Sequence, residues 1–269
     1  MEVAGMVLIV MAAVGIIFGF VLATANKKFA VEVNPLIHVV EEILPKGQCG
    51  ACGFAGCAAY AEAVVSNPDV PPNLCVPGKE AVAKEIADIT GKVSAQMEPR
   101  IAYIKCAGSP DKAKASYEYQ GVKDCVAANL LQGGPKSCKY GCIGFGTCIT
   151  KCPFDALSMG EDGIPVVDSK RCTGCGSCEA ACPKQVIGMI SPNAEVHVRC
   201  NSNEKGADAR KLCTAACIGC GLCVKNCSYQ AVKLENNLAV VNPKICAELC
   251  QEATCVSKCP TKAISMLIS

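Results

Sequence analysis

The sequence predicts an α+β chain in four parts: a membrane-length helix, a small four-cysteine domain, and two tandem copies of a module built from hairpins and short helices. Three observations predict it. Val3 to Ala25 carries no charged residue, and 24 of the 269 residues are cysteine, gathered in short runs. The third is that Gly141-Cys142-Ile-Gly-Phe145-Gly-Thr-Cys148 recurs as Ala216-Cys217-Ile-Gly-Cys220-Gly-Leu-Cys223, a repeat with a period of about 75 residues. The four parts are residues 1–28, 29–100, 101–192 and 193–269.

A helix over Val3–Ala25 would span about 34 Å, enough to cross a bilayer. A cleaved signal peptide would start with a basic region, yet the only early charge is Glu2, and Lys27 and Lys28 follow the span. The segment therefore reads as a retained single-pass anchor in the cell (inner) membrane. By the positive-inside rule the two lysines keep the bulk of the chain in the cytoplasm, where thiols stay reduced and free to take metal. Gly15 and Gly19 make a G-x-x-x-G step of the kind that lets another helix approach, a spacing that chance also produces among the small residues of membrane helices.

The cysteine runs set the chemistry. Cys172-Thr-Gly-Cys175-Gly-Ser-Cys178-Glu-Ala-Ala-Cys182-Pro has the spacing that wraps a loop round a [4Fe-4S] cubane. Its first three thiolates take three corners, and the fourth, a helical turn further on, points to a second cluster. A disulfide scaffold suits short secreted chains with little core, whereas this chain is 51% apolar. Structural zinc uses two well-separated Cys-x-x-Cys pairs, whereas here three or four thiols share one short loop.

In the 29–100 domain, Asn34-Pro35 caps and starts a short helix with Leu36, Val39, Val40, Ile43 and Leu44 on its apolar side, stopped at Pro45. Cys49-Gly-Ala-Cys52-Gly-Phe-Ala-Gly-Cys57 is glycine-rich where the backbone must curl round a cofactor. Cys75 follows between Pro71-Pro72 and Pro77-Gly78, giving four thiols for a first cluster. Lys79 to Thr90, closed by Gly91, reads as an amphipathic helix over that site.

Each repeat that follows has two cysteine runs separated by a β-rich stretch, Gly163-Ile-Pro-Val-Val-Asp and Asn237-Leu-Ala-Val-Val-Asn, the pattern of bacterial-type two-cluster ferredoxins. The fourth cysteine of each run crosses over in such a fold, which groups Cys172, Cys175 and Cys178 with Cys152 as cluster three. It likewise groups Cys217, Cys220 and Cys223 with Cys259 as cluster four, and Cys246, Cys250 and Cys255 with Cys227 as cluster five. The last run is stretched, and Ser228 follows Cys227 where proline is usual.

Cluster two is less determined, because Phe145 stands where the repeat has Cys220 and the missing ligand is either Cys138 or Cys125. One grouping is Cys138, Cys142, Cys148 and Cys182, leaving Cys106, Cys125, Cys200 and Cys213. With Cys125 and Cys138 exchanged, the remainder is Cys106, Cys138, Cys200 and Cys213, two thiols from each repeat. Cys106 and Cys200 both follow an apolar-basic pair, Ile104-Lys105 and Val198-Arg199, and Cys138 and Cys213 each precede the next ligand by four residues. Four spare thiols are an oxidation liability in any chain, so a sixth cluster between the repeats is expected beside the plainer reading of inert buried thiols.

The order of parts resembles the B subunit of the Rnf complex, the membrane ferredoxin:NAD oxidoreductase that pumps sodium ions or protons. An N-terminal span, then Cys49-Gly-Ala-Cys52-Gly-Phe-Ala-Gly-Cys57 with the later Cys75, then ferredoxin-type runs covers nearly the whole chain. The resemblance implies a subunit that carries only electrons, taking them from soluble ferredoxin and passing them to membrane and flavin-bearing partner subunits. The second ferredoxin repeat places it with the longer, polyferredoxin form.

The remaining residues agree with a relay. No dinucleotide or Walker loop is present, and the two histidines, His38 and His197, read as structural residues. The span holds no carboxylate or lysine to carry an ion, which assigns pumping to other subunits. A net charge of +2 without basic runs gives nucleic-acid binding no support. Lys105, Lys112, Lys114, Lys123, Lys136 and Lys139 could steer an acidic ferredoxin, although a solvated face explains them more simply. Two rival functions are an anchored polyferredoxin of another redox complex, such as a hydrogenase or reductase, and a non-redox structural metal protein.

Overall fold

The computed structural model describes residues 2–29, 34–250 and 252–266. The first helix, α1 (Glu2–Phe29), is long and apolar enough to cross a membrane, and none of its apolar window is buried in the protein. Its Leu8, Ile16 and Phe20 are 70–72% exposed. A stripe buried on no side needs an apolar surrounding, as a bilayer provides.

The small domain packs α2 (Pro35–Ile43), α3 (Cys57–Ser66) and α4 (Lys79–Thr90) round Val40, Leu44, Tyr60, Ala61, Val64, Cys75 and Ile86. Asn34 Oδ1 accepts the Leu36 N–H at 3.0 Å and so starts α2 one residue before Pro35. The expected apolar side of that helix is corrected: Ile37, Val40 and Leu44 face the core, while Leu36 and Val39 are exposed. Spacings of three and four put residues 37, 40 and 44 on one face and turn 36 and 39 away from it. Lys92 closes the domain, its Nζ donating to the carbonyls of Val64, Asn67 and Val70 at 2.6–2.7 Å, where the end of α3 leaves oxygens without helical partners.

The first cysteine-rich module runs through β1 (Ile101–Ile104), α5 (Cys125–Leu130), α6 (Thr147–Thr150), β2 (Leu157–Met159), β3 (Pro165–Val167), α7 (Ser177–Ala180) and β4 (Ile187–Ile190). Antiparallel pairing of β1 with β4, Ile101 opposite Ile190 and Ile104 opposite Ile187, closes the module on itself, and β2 and β3 form a hairpin. The second has β5 (Val196–Val198), α8 (Gly206–Leu212), α9 (Leu222–Lys225), β6 (Val232–Glu235), β7 (Leu238–Val241), α10 (Pro243–Leu249), α11 (Thr254–Ser257) and β8 (Ile264–Met266). Here β5 pairs with β8 and β6 with β7. The likeness extends to single bonds, for Lys105 N donates to Val186 O and Arg199 N to Ala263 O, each at 2.7 Å.

The modules meet along several polar links. Ala113 makes an antiparallel bridge to Cys213, flanked by Lys114 N to Leu212 O and Thr214 N to Lys112 O, both 3.0 Å. Lys139 pairs with Glu204 at 2.9 Å across the same seam. At its far side Tyr103 and His197 stack edge to face with centroids 5.5 Å apart.

Candidate metal centres

The thiols of the small domain face one another across its glycine loop. Burial pushes the Cys75 thiol up to about 11, and the charges of Cys57, Cys49 and Cys52 push it the same way, so all four share one neighbourhood. Amides of Ala51 and Gly78 point at the sulfurs of Cys49 and Cys75. The tight curl needs Gly56, at φ 152°, where a side chain would strike the Gln48 amide that accepts the Cys57 N–H.

In the first module the structure lines one hollow with Cys125, Cys142, Cys148 and Cys182. Burial pushes Cys148 up to about 11, and Cys125 and Cys182 are its charged neighbours. Of the two groupings the sequence leaves open, the one with Cys125 beside Cys142, Cys148 and Cys182 matches this neighbourhood. The cause is local. Asp124 caps α5 by accepting from Val126 and Ala127, and it also accepts the Thr147 hydroxyl proton at 2.7 Å; Thr147 Oγ1 in turn accepts from the Cys125 amide at 2.7 Å. This tie sets Cys125 over the corner that Phe145 vacates, while the Phe145 ring packs beside Tyr119, Ile143 and Ala128. Cys138 lines a different hollow, with Cys106, Cys200 and Cys213.

Cys178 is pushed up to about 12 by burial and by the charges of Cys172, Cys175, Cys148 and Cys152, all of which lie near it. The Ala102 and Ala156 amides donate to Cys172 and Cys152 at 3.3 and 3.4 Å. In the second module Cys217, Cys220, Cys223 and Cys259 line one hollow. Cys246 is raised to about 11 by burial and by Cys250, Cys255 and Cys227.

These surroundings test what the thiols could hold. Among the described residues no three His, Cys, Asp or Glu side chains converge as a single ion requires. The thiols instead ring small apolar hollows with amides aimed at sulfur, as suits a cubane in which each thiolate meets a separate iron. Thiols held protonated by burial must lose their protons to bind, so metal uptake strengthens as pH rises.

The sets lie in a row. Cys49 lies beside Cys175, and the Ser177 hydroxyl points at the Cys49 carbonyl at 3.5 Å. Cys178 lies beside Cys148, where α6 packs on α7, and α9 packs on α11 in the same way. The six lysines do not make one free face: Lys136 turns inward to donate to Gly108 O at 2.6 Å, and Lys139 is paired with Glu204. His38 is exposed. His197 is buried on β5 and is pushed down to about 4 by burial and by Arg199.

Comparison with known proteins accounts for this arrangement. Residues 44–77 match the family described as "Putative Fe-S cluster", and residues 141–187 match the 4Fe-4S dicluster domain. The chain is 59% identical to the B subunit of the proton-translocating ferredoxin:NAD(+) oxidoreductase complex of Clostridium ljungdahlii, over 98% of this chain and 93% of that one. It is 41% identical to the B subunit of the ion-translocating oxidoreductase complex of Methanosarcina acetivorans, over 96% of each chain. Identity is also 41% to the B subunit of the Na(+)-translocating ferredoxin:NAD(+) oxidoreductase complex of Acetobacterium woodii, over 93% of this chain and 74% of that one. With its iron–sulfur domains and single apolar helix, the chain belongs to the B-subunit family of the ion-translocating ferredoxin:NAD oxidoreductase, or Rnf, complexes and is an electron-transfer subunit.

Proposed function

We propose that the chain accepts electrons from reduced ferredoxin on the cytoplasmic side and delivers them to partner subunits at the membrane, using five four-cysteine sites. These are Cys49, Cys52, Cys57 and Cys75; Cys125, Cys142, Cys148 and Cys182; Cys152, Cys172, Cys175 and Cys178; Cys217, Cys220, Cys223 and Cys259; and Cys227, Cys246, Cys250 and Cys255. When bound, [4Fe-4S] clusters supply one-electron carriage at potentials set by burial and by hydrogen bonds to sulfur. The protein's part is to place thiols, aim amides and exclude water. The observation that carries the reading is the contiguity of the sets, Cys49 next to Cys175 and Cys178 next to Cys148, leading toward the domain that follows the anchor. Lys27 and Lys28 in the last turn of α1 favour a cytoplasmic position for everything after it.

The full chain, purified anaerobically in detergent and reconstituted, tests this reading. Five sites require about 20 iron and about 20 sulfide per chain, and the visible absorption should bleach on adding reduced ferredoxin. About 12 iron or fewer, or absorption that ferredoxin leaves unchanged, would reject it. Whether sodium ions or protons move is a property of the partner subunits, because the uncharged stretch of α1 offers no group to carry either.

A further inference from the structure

We infer that a basic groove at the edge of the second ferredoxin module, lined by Lys112, Arg199 and Lys262, is where an acidic electron-carrier protein docks and hands its electron to the Cys259 site. This rests on the proposed function, in which reduced ferredoxin is the donor, and says where on the chain that donor sits. The carrier loses one electron and the site gains it, with no bond made or broken.

The groove opens beside the seam. Ala107 and Lys112 reach it from the first module, and Arg199, Cys259, Lys262 and Met266 from the second. Its lining holds three cations and no carboxylate. Among the described residues none of the three is in an ion pair, unlike Lys139, Lys211 and Lys244. Lys112 and Lys262 are exposed, as is Lys258 immediately before Cys259. Cys259 itself lines both this groove and the hollow it shares with Cys217, Cys220 and Cys223. A protein seated in the groove is therefore one side chain away from that set of thiols.

Comparison of the repeats shows that the fold does not demand this charge. Around Cys182, the counterpart of Cys259, the residues equivalent to Val256, Lys258 and Lys262 are Glu179, Ala181 and Gln185. That face is also occupied from within the chain, for Lys184 donates to Lys139 O at 2.7 Å and Asn201 Nδ2 donates to Lys184 O at 3.4 Å. On the other side of Arg199 and Met266 the surface turns acidic, where Glu161 and Asp162 line the adjoining hollow. An acidic partner is thus drawn to one side of the seam and turned away from the other. The attraction comes from charge more than from apolar area, as suits brief electron-transfer encounters, which are small and electrostatically steered.

Binding and electron uptake test the site separately on the full chain, reconstituted in detergent. At low salt Lys112→Glu/Lys262→Glu should raise the Kd for oxidised ferredoxin, read by thermophoresis, about tenfold or more, and should slow the second-order bleaching by reduced ferredoxin to match. Both differences should shrink as added salt screens the field. Lys84→Glu, an exposed change on α4 in the small domain, should alter neither. Excess dithionite should bleach every variant to the same extent; if the double variant bleaches less, Lys112→Gln/Lys262→Gln, which adds no acid, decides in its place. Ferredoxin that binds and reduces the double variant as well as the unaltered chain would overturn the docking site and leave the proposed function standing. Ferredoxin that fails to reduce the unaltered chain would sink the function itself.

Discussion

The first ferredoxin module and the second close with the same strand pairing, and on the proposed sites they differ at one corner of one site. In the second, Cys220 supplies that corner from within the loop between Cys217 and Cys223, and it is the one cysteine exposed to solvent. In the first, Phe145 occupies the loop position, and the thiol arrives as Cys125 at the start of α5, in a segment (107–137) far longer than its counterpart (201–212). The inserted segment buries the corner, because Tyr119 and Phe145 stack at 5.4 Å beside it. On the proposed sites a metal corner changes its place in the sequence while keeping its place in space, and an exposed thiol is replaced by a buried one. Less solvent at sulfur changes the potential a site supports, so the two modules need not be redox equivalents.

The largest effect should come from moving the corner back. Cys125→Ala should lose about four iron per chain, and Cys125→Ala/Phe145→Cys should regain them. Gly144 and Gly146, at φ 95° and 77°, already give the first loop the left-handed turns that Gly219 and Gly221, at 62° and 74°, give the second. Iron and sulfide analysis of the reconstituted chains checks this. A double variant as poor in iron as the single one would show that the two loops are not interchangeable.

A second test concerns what the modules share. A methyl group on Gly144 would come within 3.0 Å of the Gly163 carbonyl, and one on Gly219 within 2.9 Å of the Asn237 carbonyl, both from left-handed backbone. Gly144→Ala and Gly219→Ala should each cost about 1–3 kcal/mol, by similar amounts, in thermal unfolding of the loaded chain. A large effect in only one module would mean that the loops are braced differently.

Much of this comparison is visible in the sequence, and the part that is not has an identifiable cause. Glycine spacing and the equivalence of Cys106 with Cys200 follow from local patterns that the repeat displays twice. The sequence offers Cys125 and Cys138 alike for the missing corner and cannot choose, because the Cys125 segment has no counterpart in the second module and its position depends on a hydrogen bond between Asp124 and Thr147, 23 residues apart. Lys136 looks like a surface charge until the fold brings Gly108 O to its Nζ. The inward face of α2 also depends on partners, since Leu36 and Ile37 are equally apolar and only packing against α3 and α4 separates them.

The Thr147 hydroxyl offers a sharper, smaller test of the difference between modules. It both donates to Asp124 and accepts from the Cys125 amide, and the equivalent residue in the second module is Leu222, 40% exposed. Thr147→Val keeps the shape and removes both bonds, which should destabilise the first module by about 1–2 kcal/mol. Leu222→Val should be nearly neutral. Denaturant unfolding followed by cluster absorption checks the pair, and equal effects would remove the tie from the account of Cys125.

The smallest effect concerns a position where the modules touch through equivalent residues. Tyr103 on β1 and His197 on β5 occupy corresponding sites and stack against each other. Burial pushes the Tyr103 hydroxyl upward, so it stays neutral in acid, whereas burial and Arg199 push His197 down to about 4 from 6.5. The folded chain therefore keeps His197 neutral where the unfolded chain already binds a proton. That contribution to stability is fully present above about pH 6.5 and is lost progressively as pH falls toward 4. His197→Phe should flatten the fall in unfolding midpoint between pH 7 and pH 5 relative to the unaltered chain. Whatever acid does to the cysteine sites is common to both chains and cancels in the difference. Parallel pH profiles would show that the histidine is not excluded from water at the seam, and the seam would then be looser than the edge-to-face contact implies.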